Sequence, residues 1–414
     1  LANNNVNGLE EDSNGNLWFA TDDGISILNE ESGSWRHVLE GTVVVTLCRT
    51  HNGSIWAGTY GDGIYILDLN GRVLRHLTQQ QEELTTNYIF HIRQDPDGDI
   101  WVGAHNGWLM LLDKDGQPKQ TYDIKWIHSI EMVAQNQVGV ATVNGFYLVN
   151  KADNTVENYA SFPEFQEQNN SAYIISMLFN EDSTVWLGTE GGGLNLYNIQ
   201  TGETKVFTTR EGLPSDDVYS LQKDHKGRLW ASTGKGLVLM DDYRVSNLNY
   251  LGDIDKEYNK SAFIRLSDGR FAYGSTDGAV IVKPEAIAQI DYEAPLRFTG
   301  LNIDYPEPDK EQDMRRRLYE MLTKGEVKLA YRHNSFSIDF ESINHRFQRD
   351  ISYMHILEAY DKTWSNSSDD GTIHYTNVAP GTYLLKVRNL RRSNGEIISE
   401  EDLLLTIAEP WWNS

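Results

Sequence analysis

A segment of the form Gly-x-Leu-Trp-x-x-Thr recurs along this 414-residue chain, and its spacing limits the folds open to it. It reads GNLWFAT around Trp18, GSIWAGT at Trp56, GDIWVGA at Trp101, STVWLGT at Trp186 and GRLWAST at Trp230. Two weaker copies, NQVGVAT and GRFAYGS, put Gly139 and Ala272 where tryptophan would stand. Seven anchors at 18, 56, 101, 139, 186, 230 and 272 are separated by 38, 45, 38, 47, 44 and 42 residues. A period near 42 suits four-stranded propeller blades rather than helical repeats.

Each unit has the fine structure of strands. Twelve, nine, six, three and one residues before Trp101 stand Ile89, Ile92, Asp95, Gly98 and Ile100. The same offsets from Trp230 give Val218, Leu221, Asp224, Gly227 and Leu229, and from Trp18 they give Val6, Leu9, Asp12, Gly15 and Leu17. Alternating apolar residues broken by Asp-x-x-Gly predict a strand, a tight turn and a second strand led by the tryptophan. A glycine after the anchor (Gly24, Gly63, Gly107, Gly145, Gly193, Gly236 or Gly278) is expected to supply a positive φ for the next turn. A fourth, outer strand is expected at 35–39, 73–77 and 205–208. In the seventh unit that strand is either 287–292 or a segment upstream of Leu1.

The period stops after Pro284. Residues 297–303, 327–329, 335–343, 351–358, 372–375, 382–389 and 402–408 read as seven strands, the number and length of an immunoglobulin or fibronectin-III sandwich. Tyr375-Thr-Asn-Val-Ala-Pro-Gly-Thr-Tyr383 has the Pro-Gly corner and the tyrosine, tied back to backbone, of such a fold. One stretch, 309–324, looks helical through Met314, Leu318, Met321 and Leu322, and reads as a short surface helix carrying Arg315, Arg316 and Arg317. The fold class is therefore all-β: a seven-bladed β-propeller over 1–294, then an immunoglobulin/fibronectin-III-like β-sandwich over 295–414.

Charge is unevenly spread. Of the net −24, residues 297–414 hold 15 Lys+Arg against 19 Asp+Glu, and 1–296 hold 21 against 41. A region at −20 does not track a phosphate backbone or an anionic lipid surface, so no nucleic-acid partner is expected. It also disfavours sulfated or uronic-acid-rich ligands unless a local cation such as Lys235 overrides it. One cysteine, Cys48, cannot form an internal disulfide and sits on an apolar inner strand, where it reads as a core residue.

The repeat V-x-x-L-x-x-D-x-x-G-x-L-W resembles the two-component-regulator propeller repeat. The stretches YRHNSFSIDFESIN (331–344), ISYMHILEAYDKTW (351–364), HYTNVAPGTYLLKVRN (374–389) and EPWW (409–412) resemble the triple-tyrosine domain that follows it, with Tyr353, Tyr375 and Tyr383 as its tyrosines. The resemblance implies the periplasmic sensor region of a hybrid two-component system of Bacteroidetes, part of an inner-membrane protein. It implies an oligosaccharide ligand, a homodimer through the sandwich, a membrane anchor just after residue 414 and a histidine kinase beyond. Those sensors usually carry fourteen repeats, whereas seven are present here, as in a fragment holding the second ring or in a shorter relative.

Catalytic and cofactor signals are weak, and neither a catalytic group, a metal nor a cofactor is expected. Asp95-Pro-Asp97-Gly-Asp99 has its glycine too early for a calcium loop and no Glu at the twelfth position, so it reads as a turn. Gly-rich 190–193 joins two strands instead of opening a helix. The ligand face of such a ring is built by the loops entering the inner strand and those joining strands two and three. The second set carries Asp22, Asp23, Tyr60, Asp62, His105, Asn106, Trp108, Asn144, Phe146, Glu190, Lys235 and Asp277, and the first Asn87, Tyr88, Tyr173, Asp217 and Tyr219. Tyr60, Asp62, Tyr88, His105, Trp108, Asn144, Tyr173, Glu190, Tyr219 and Lys235 are the candidate ligand residues, since aromatic faces beside carboxylates and amides suit sugars. A groove near Trp108, Trp126 and His128 is a further expectation, because that unit lacks its tryptophan anchor. The five anchor tryptophans are read as inter-blade packing. A propeller lyase or hydrolase and a protein-interaction propeller are the competing functions.

Overall fold

The computed structural model describes residues 1–159, 171–248, 254, 256–287, 293–303, 311–344, 351–391 and 395–410. It separates into two compact units, Leu1–Leu248 with Gly252–Ala288, and Asn249–Leu251 with Gln289–Ser414. Glu293 and Ala294, grouped with the repeats above, fall in the second unit. Ala294 is held there, its carbonyl accepting from Asn389 Nδ2 at 2.6 Å and Ser399 Oγ at 3.0 Å.

In the first unit the chain makes antiparallel sheets one after another, six of four strands and one of three among the described residues. Sheet 1 comprises Val6–Glu11, Leu17–Thr21, Gly24–Asn29 and Ser34–Val38. Sheets 2 to 6 repeat it from the first strands Val44–Arg49, Ile89–Gln94, Ile127–Ala134, Ile174–Phe179 and Val218–Lys223. Sheet 7 holds Tyr258–Arg265, Phe271–Ser275 and Gly278–Val282. Each first strand touches the next, and the seventh touches the first, so the sheets stand around a closed, propeller-like ring.

Hydrophobic burial between neighbours holds the ring. Trp18, Ile25 and Ile27 of sheet 1 pack with Val44, Ile55 and Ala57 of sheet 2, and similar clusters fill the later interfaces. Leu9 and Phe19 of sheet 1 pack on Ala262 and Ala272 of sheet 7. The anchors Trp18, Trp56, Trp101, Trp186 and Trp230 are all buried. Three of them also tie strand to turn: Nε1 of Trp18, Trp101 and Trp230 donates to Asp12, Asp95 and Asp224 at 2.9, 3.3 and 3.1 Å. The other oxygen of Asp12 accepts from the N–H groups of Asn14 and Asn16, which is why Asp-x-x-Gly and the tryptophan recur together.

One device closes the ring and repeats around it. The glycine at the start of the third strand, or just before it, donates its N–H to the carbonyl of the residue two before the next sheet's first strand. Gly24 reaches Thr42 O at 2.7 Å, Gly63 reaches Asn87 O at 3.0 Å, Gly193 reaches Asp216 O at 2.8 Å and Gly236 reaches Lys256 O at 2.9 Å. Gly278 of sheet 7 makes the same bond to Asn4 O at 2.6 Å, two residues before Val6. Asn259 Nδ2 adds bonds to Asn5 Oδ1 and Val6 O, and Arg270 grips Glu30 with both terminal nitrogens. Residues 288–292, most of one expected outer strand for this sheet, lie outside the described residues.

The expected positive φ is found at Gly24, Gly63, Gly145, Gly193, Gly236 and Gly278, but not at Gly107. The reason lies at the position before the turn. There Thr21, Thr59, Thr142, Thr189, Thr233 or Ser275 donates its hydroxyl to the glycine carbonyl at 2.8–2.9 Å. Sheet 3 has Ala104 instead, and its third strand starts only at Leu109. Gly107 is needed for room, since a Cβ there would lie 2.5 Å from Thr86 Cγ2.

In the second unit two sheets face each other across one core. Leu296–Ile303, Phe336–Ser342 and Thr372–Tyr375 form the first. Ile351–Glu358, Gly381–Arg391, Ile397–Ile407 and Glu326–Leu329 form the second, the last of these parallel to its neighbour. Phe336, Ile338 and Phe340 meet Leu385, Val387, Leu403 and Leu405 between them. The helix Glu311–Thr323 adds Leu318 and Leu322 to that core, while Arg316 and Arg317 are exposed. Asp309, Trp411 and Trp412 lie outside the described residues. The three tyrosines each bind through oxygen: Tyr383 donates to Ala379 O at 3.0 Å, Tyr375 donates to Asp361 at 2.6 Å, and Tyr353 accepts from Ser342 N at 3.3 Å. No helix among the described residues is long and apolar enough to cross a membrane.

Candidate functional site

The ring's inner strands share an irregularity that builds a site. In sheets 1 to 6 the pairing of first and second strands skips one residue: Asn7, Val45, Phe90, His128, Ile175 and Tyr219. A bulge of this kind leaves a residue unpaired and re-aims its side chain. All six lie eleven residues before the sheet's anchor, and Ser261 holds that position in sheet 7. Asn7, Val45, Phe90, His128, Tyr219 and Ser261 line a cavity of about 300 Å³ on the ring's axis. Ile175 is instead fully buried.

Aromatic side chains continue from this cavity to the surface. Tyr60 and Tyr88 meet edge to face at 5.0 Å, and Tyr60 lies 6.2 Å from Phe90. His105 stacks on Phe90 at 4.9 Å and receives the edge of Trp126 at 4.5 Å. His128 lies 6.3 Å from Phe90 and 4.9 Å from Tyr173, and Lys260 Nζ sits 5.0 Å over the Tyr173 ring. These are ordinary separations for interacting rings, so the belt is preorganised by its own contacts. Tyr60, Tyr88 and Trp126 are 53%, 40% and 40% exposed, which leaves ring face for a ligand. Trp126 also has a φ of 59°, unusual for a bulky residue, and its N–H is held by the His105 carbonyl at 3.2 Å.

Electrostatics divides the site. Burial, with help from the Lys260 charge, lowers the His128 pKa to about 4, so its imidazole is neutral at pH 7. Burial and then the carboxylates of Asp217, Glu257 and Glu190 push the Tyr219 phenol up to about 12. Lys260 pairs with Glu190 at 2.6 Å.

Six of the ten candidate residues, Tyr60, Tyr88, His105, Tyr173, Glu190 and Tyr219, come together in the belt and cavity. Asp62, Asn144 and Lys235 do not. Each is the residue just before the glycine of the hydroxyl-held turn, its N–H donating to Thr59, Thr142 or Thr233 at 3.0–3.2 Å, with an exposed side chain. Trp108 is 43% exposed, its N–H bound to Thr85 Oγ1, and no ring pair joins it to the belt among the described residues. Phe146, placed on this face above, is buried and stacks on Tyr159 at 4.7 Å. Phe90, Glu257, Asn259 and Lys260 were missed, although the eleven-residue offset from each anchor would have found Phe90.

Other features belong elsewhere. A larger groove of about 610 Å³ lies at the opposite strand ends, between sheets 5 and 6. Its Trp186 is a buried anchor, and its Asp182 is engaged by Thr184 in the turn. At Asp95, Asp97 and Asp99 the Lys151 ammonium stands among the carboxylates at 2.6, 2.8 and 3.4 Å. No group of three or more His, Cys, Asp or Glu is placed to hold a metal among the described residues.

Comparison with known proteins agrees with this architecture. Residues 1–23, 83–106 and 212–235 match the two component regulator propeller, and residues 344–408 match the Y_Y_Y domain. A histidine kinase of Formosa agariphila, Histidine kinase P4, is 20% identical over 387 residues, 87% of this chain and 28% of that protein. The extracellular domain of a putative hybrid two component system from B. thetaiotaomicron superposes with a TM-score of 0.82 at 20% identity, covering 99% of this chain and 56% of that one. Virginiamycin B lyase from Staphylococcus aureus aligns with 67% of the chain and 94% of its own, at 13% identity and a TM-score of 0.51. The chain thus spans about half the solved extracellular domain it matches and under a third of the curated kinase. At these identities the superpositions establish fold alone. Two component regulator propeller repeats are thus matched at three places in the first unit and a Y_Y_Y domain in the second.

Proposed function

We propose that this chain is the periplasmic sensing region of a hybrid two-component system, a seven-bladed β-propeller followed by an immunoglobulin-like sandwich, and that it recognises oligosaccharides. The aromatic belt from Tyr60 to Tyr173, opening on the bulge-lined cavity, carries the ligand reading. Ring faces there stack on the C–H faces of a pyranose, while Asn7, Glu257 and Asn259 offer polar atoms to its hydroxyls. Relay follows if ligand favours one arrangement of a dimer joined through the sandwich, because an equilibrium shifts only by differential affinity. The kinase that receives the signal is expected by similarity to the longer relative.

Calorimetry of the chain against a panel of plant and host oligosaccharides tests this reading. Binding by at least one member, weakened about tenfold or more by Trp126→Ala, supports it. Binding indifferent to Trp126→Ala and Tyr88→Ala moves the site elsewhere. New reducing ends during incubation would make the chain an enzyme instead, and no binding across the panel would leave the protein-interaction reading in its place.

A further inference from the structure

Sheet 7 departs from the other six beside the cavity. Its first two strands lose register from Tyr258 to Phe263, so that residues 259–262 stand opposite a single residue of the partner strand. Ser261 takes a φ of 57° in this stretch. The segment reaches across the ring's axis. Ser261 Oγ donates to the His128 carbonyl at 3.4 Å, and Lys260 reaches Glu190 and the Tyr173 ring. Those partners belong to sheets 4 and 5, whereas the neighbours of sheet 7 are sheets 6 and 1. The crossing makes the site asymmetric, with the aromatic belt on one side and Tyr219, Glu257 and Asn259 on the other.

The charge of this second side is unbalanced. Lys260 is already neutralised by Glu190. Asp217 accepts from Gly191 N at 2.8 Å and from Ser215 Oγ at 3.5 Å. Glu257 is exposed, lines the cavity, and has no hydrogen bond or ion pair to its carboxylate among the described residues. His128 adds no positive charge. The open charge facing the cavity is therefore negative, in a walled site whose other surface is aromatic. Both surfaces attract an ammonium group, one as a charge-assisted acceptor and the other through ring quadrupoles.

We propose that the cavity takes an amine-bearing sugar, a hexosamine unit with its free ammonium at Glu257 and Tyr219, in preference to neutral or carboxylate-bearing sugars. This rests on the oligosaccharide reading above and narrows it. Glu257 is the specificity-determining residue, and the belt supplies stacking common to all sugars.

The experiment is calorimetry of the whole chain with a β-1,4-linked glucosamine tetramer, its N-acetylated counterpart, a glucose tetramer and a galacturonate tetramer. The glucosamine tetramer is expected to bind about tenfold tighter than the N-acetylated one at low salt, with the gap narrowing as salt is added. Glu257→Gln should remove that gap, bringing the ratio of the two affinities close to one. Persistence of the gap in Glu257→Gln would assign it to the bulk negative charge of the chain and overturn the proposal. Equal binding of the two tetramers, or tighter binding of galacturonate, would do the same. If neutral tetramers bind through Trp126 with no advantage for the amine, the proposal fails and the oligosaccharide reading stands. If none of the four binds while other sugars of the wider panel do, the proposal likewise fails alone, and if nothing in either set binds both fail.

Discussion

Replacing Lys151 by methionine removes a cation that three carboxylates share. Its side chain is 10% exposed, and those of Asp95 and Asp99 are 0% and 14% exposed, so little water can take over. Asp97 is 43% exposed, so water screens its charge and it adds little to the cost. Burial works against the ammonium, but the hydrogen bonds it donates to Asp95 and Asp97 and the nearby charges outweigh that and hold the lysine pKa above its ordinary value. Breaking such a pair leaves an uncompensated buried charge, typically about 3–5 kcal/mol. The lower end applies, because Asp95 keeps Trp101 Nε1 and the N–H groups of Asp97 and Asp99. About 3 kcal/mol corresponds to a Tm drop of roughly 6–12 °C for a domain of this size.

Urea and thermal unfolding followed by tryptophan fluorescence measure the loss, and Asp95→Asn added to Lys151→Met should recover part of it as a coupling energy. The pH dependence has a definite sign. A lysine held high contributes fully below its unfolded value near 10.4 and loses that contribution as pH rises through the folded value. Asp97, held low first by its hydrogen bond to Lys151, contributes above an unfolded value of about 3.9 and loses it as pH falls. The variant should therefore trail the wild type most between roughly pH 5 and pH 9 and approach it in acid. A Tm within about 1 °C of wild type at pH 7, or a deficit that persists undiminished at pH 3, would refute the assignment.

Three further outcomes follow from particular contacts. Trp18→Phe removes a buried bond to the Asp12 carboxylate and should cost about 2 kcal/mol in urea unfolding. Trp186→Phe should cost clearly less, since Asn180 replaces that aspartate and no bond from the Trp186 indole occurs among the described residues. His128 should stay neutral in NMR titration down to about pH 4. Because its folded pKa lies below the unfolded value of 6.5, stability should fall as pH drops from 6.5 towards 4, and His128→Asn should flatten that slope. Tyr383→Phe loses the bond to Ala379 O and should lower stability by about 1 kcal/mol; an unchanged unfolding midpoint would show that this corner is not a support.

Much of the fold was legible because its repeat is a packing requirement. The anchor tryptophans, the Asp-x-x-Gly turns and the strand alternation recur since every sheet buries the same faces against the same kind of neighbour. Gly107 misled because a glycine serves equally for positive φ and for close approach, and only the missing hydroxyl at Ala104 tells the two apart. In the second unit the strand stretches and the tyrosine corner were readable from alternation and the Pro-Gly signal. The helix was readable too, through the spacing of Leu318 and Leu322.

The candidate site was half legible. Loop position alone grouped Tyr60, Tyr88, His105 and Tyr173, which the structure gathers in the aromatic belt. It could not separate them from Asp62, Asn144 and Lys235, which share that loop position but are spent on turn geometry. What the sequence determined by itself was a ring of like sheets and a second β unit, because periodic burial is written in local residue order. What only the tertiary structure decided was the cavity. Unpaired bulge residues from five sheets, and a segment of the seventh that crosses the axis, meet there although up to 254 positions separate them in the chain, and pairing register across strands is not a property of any one segment.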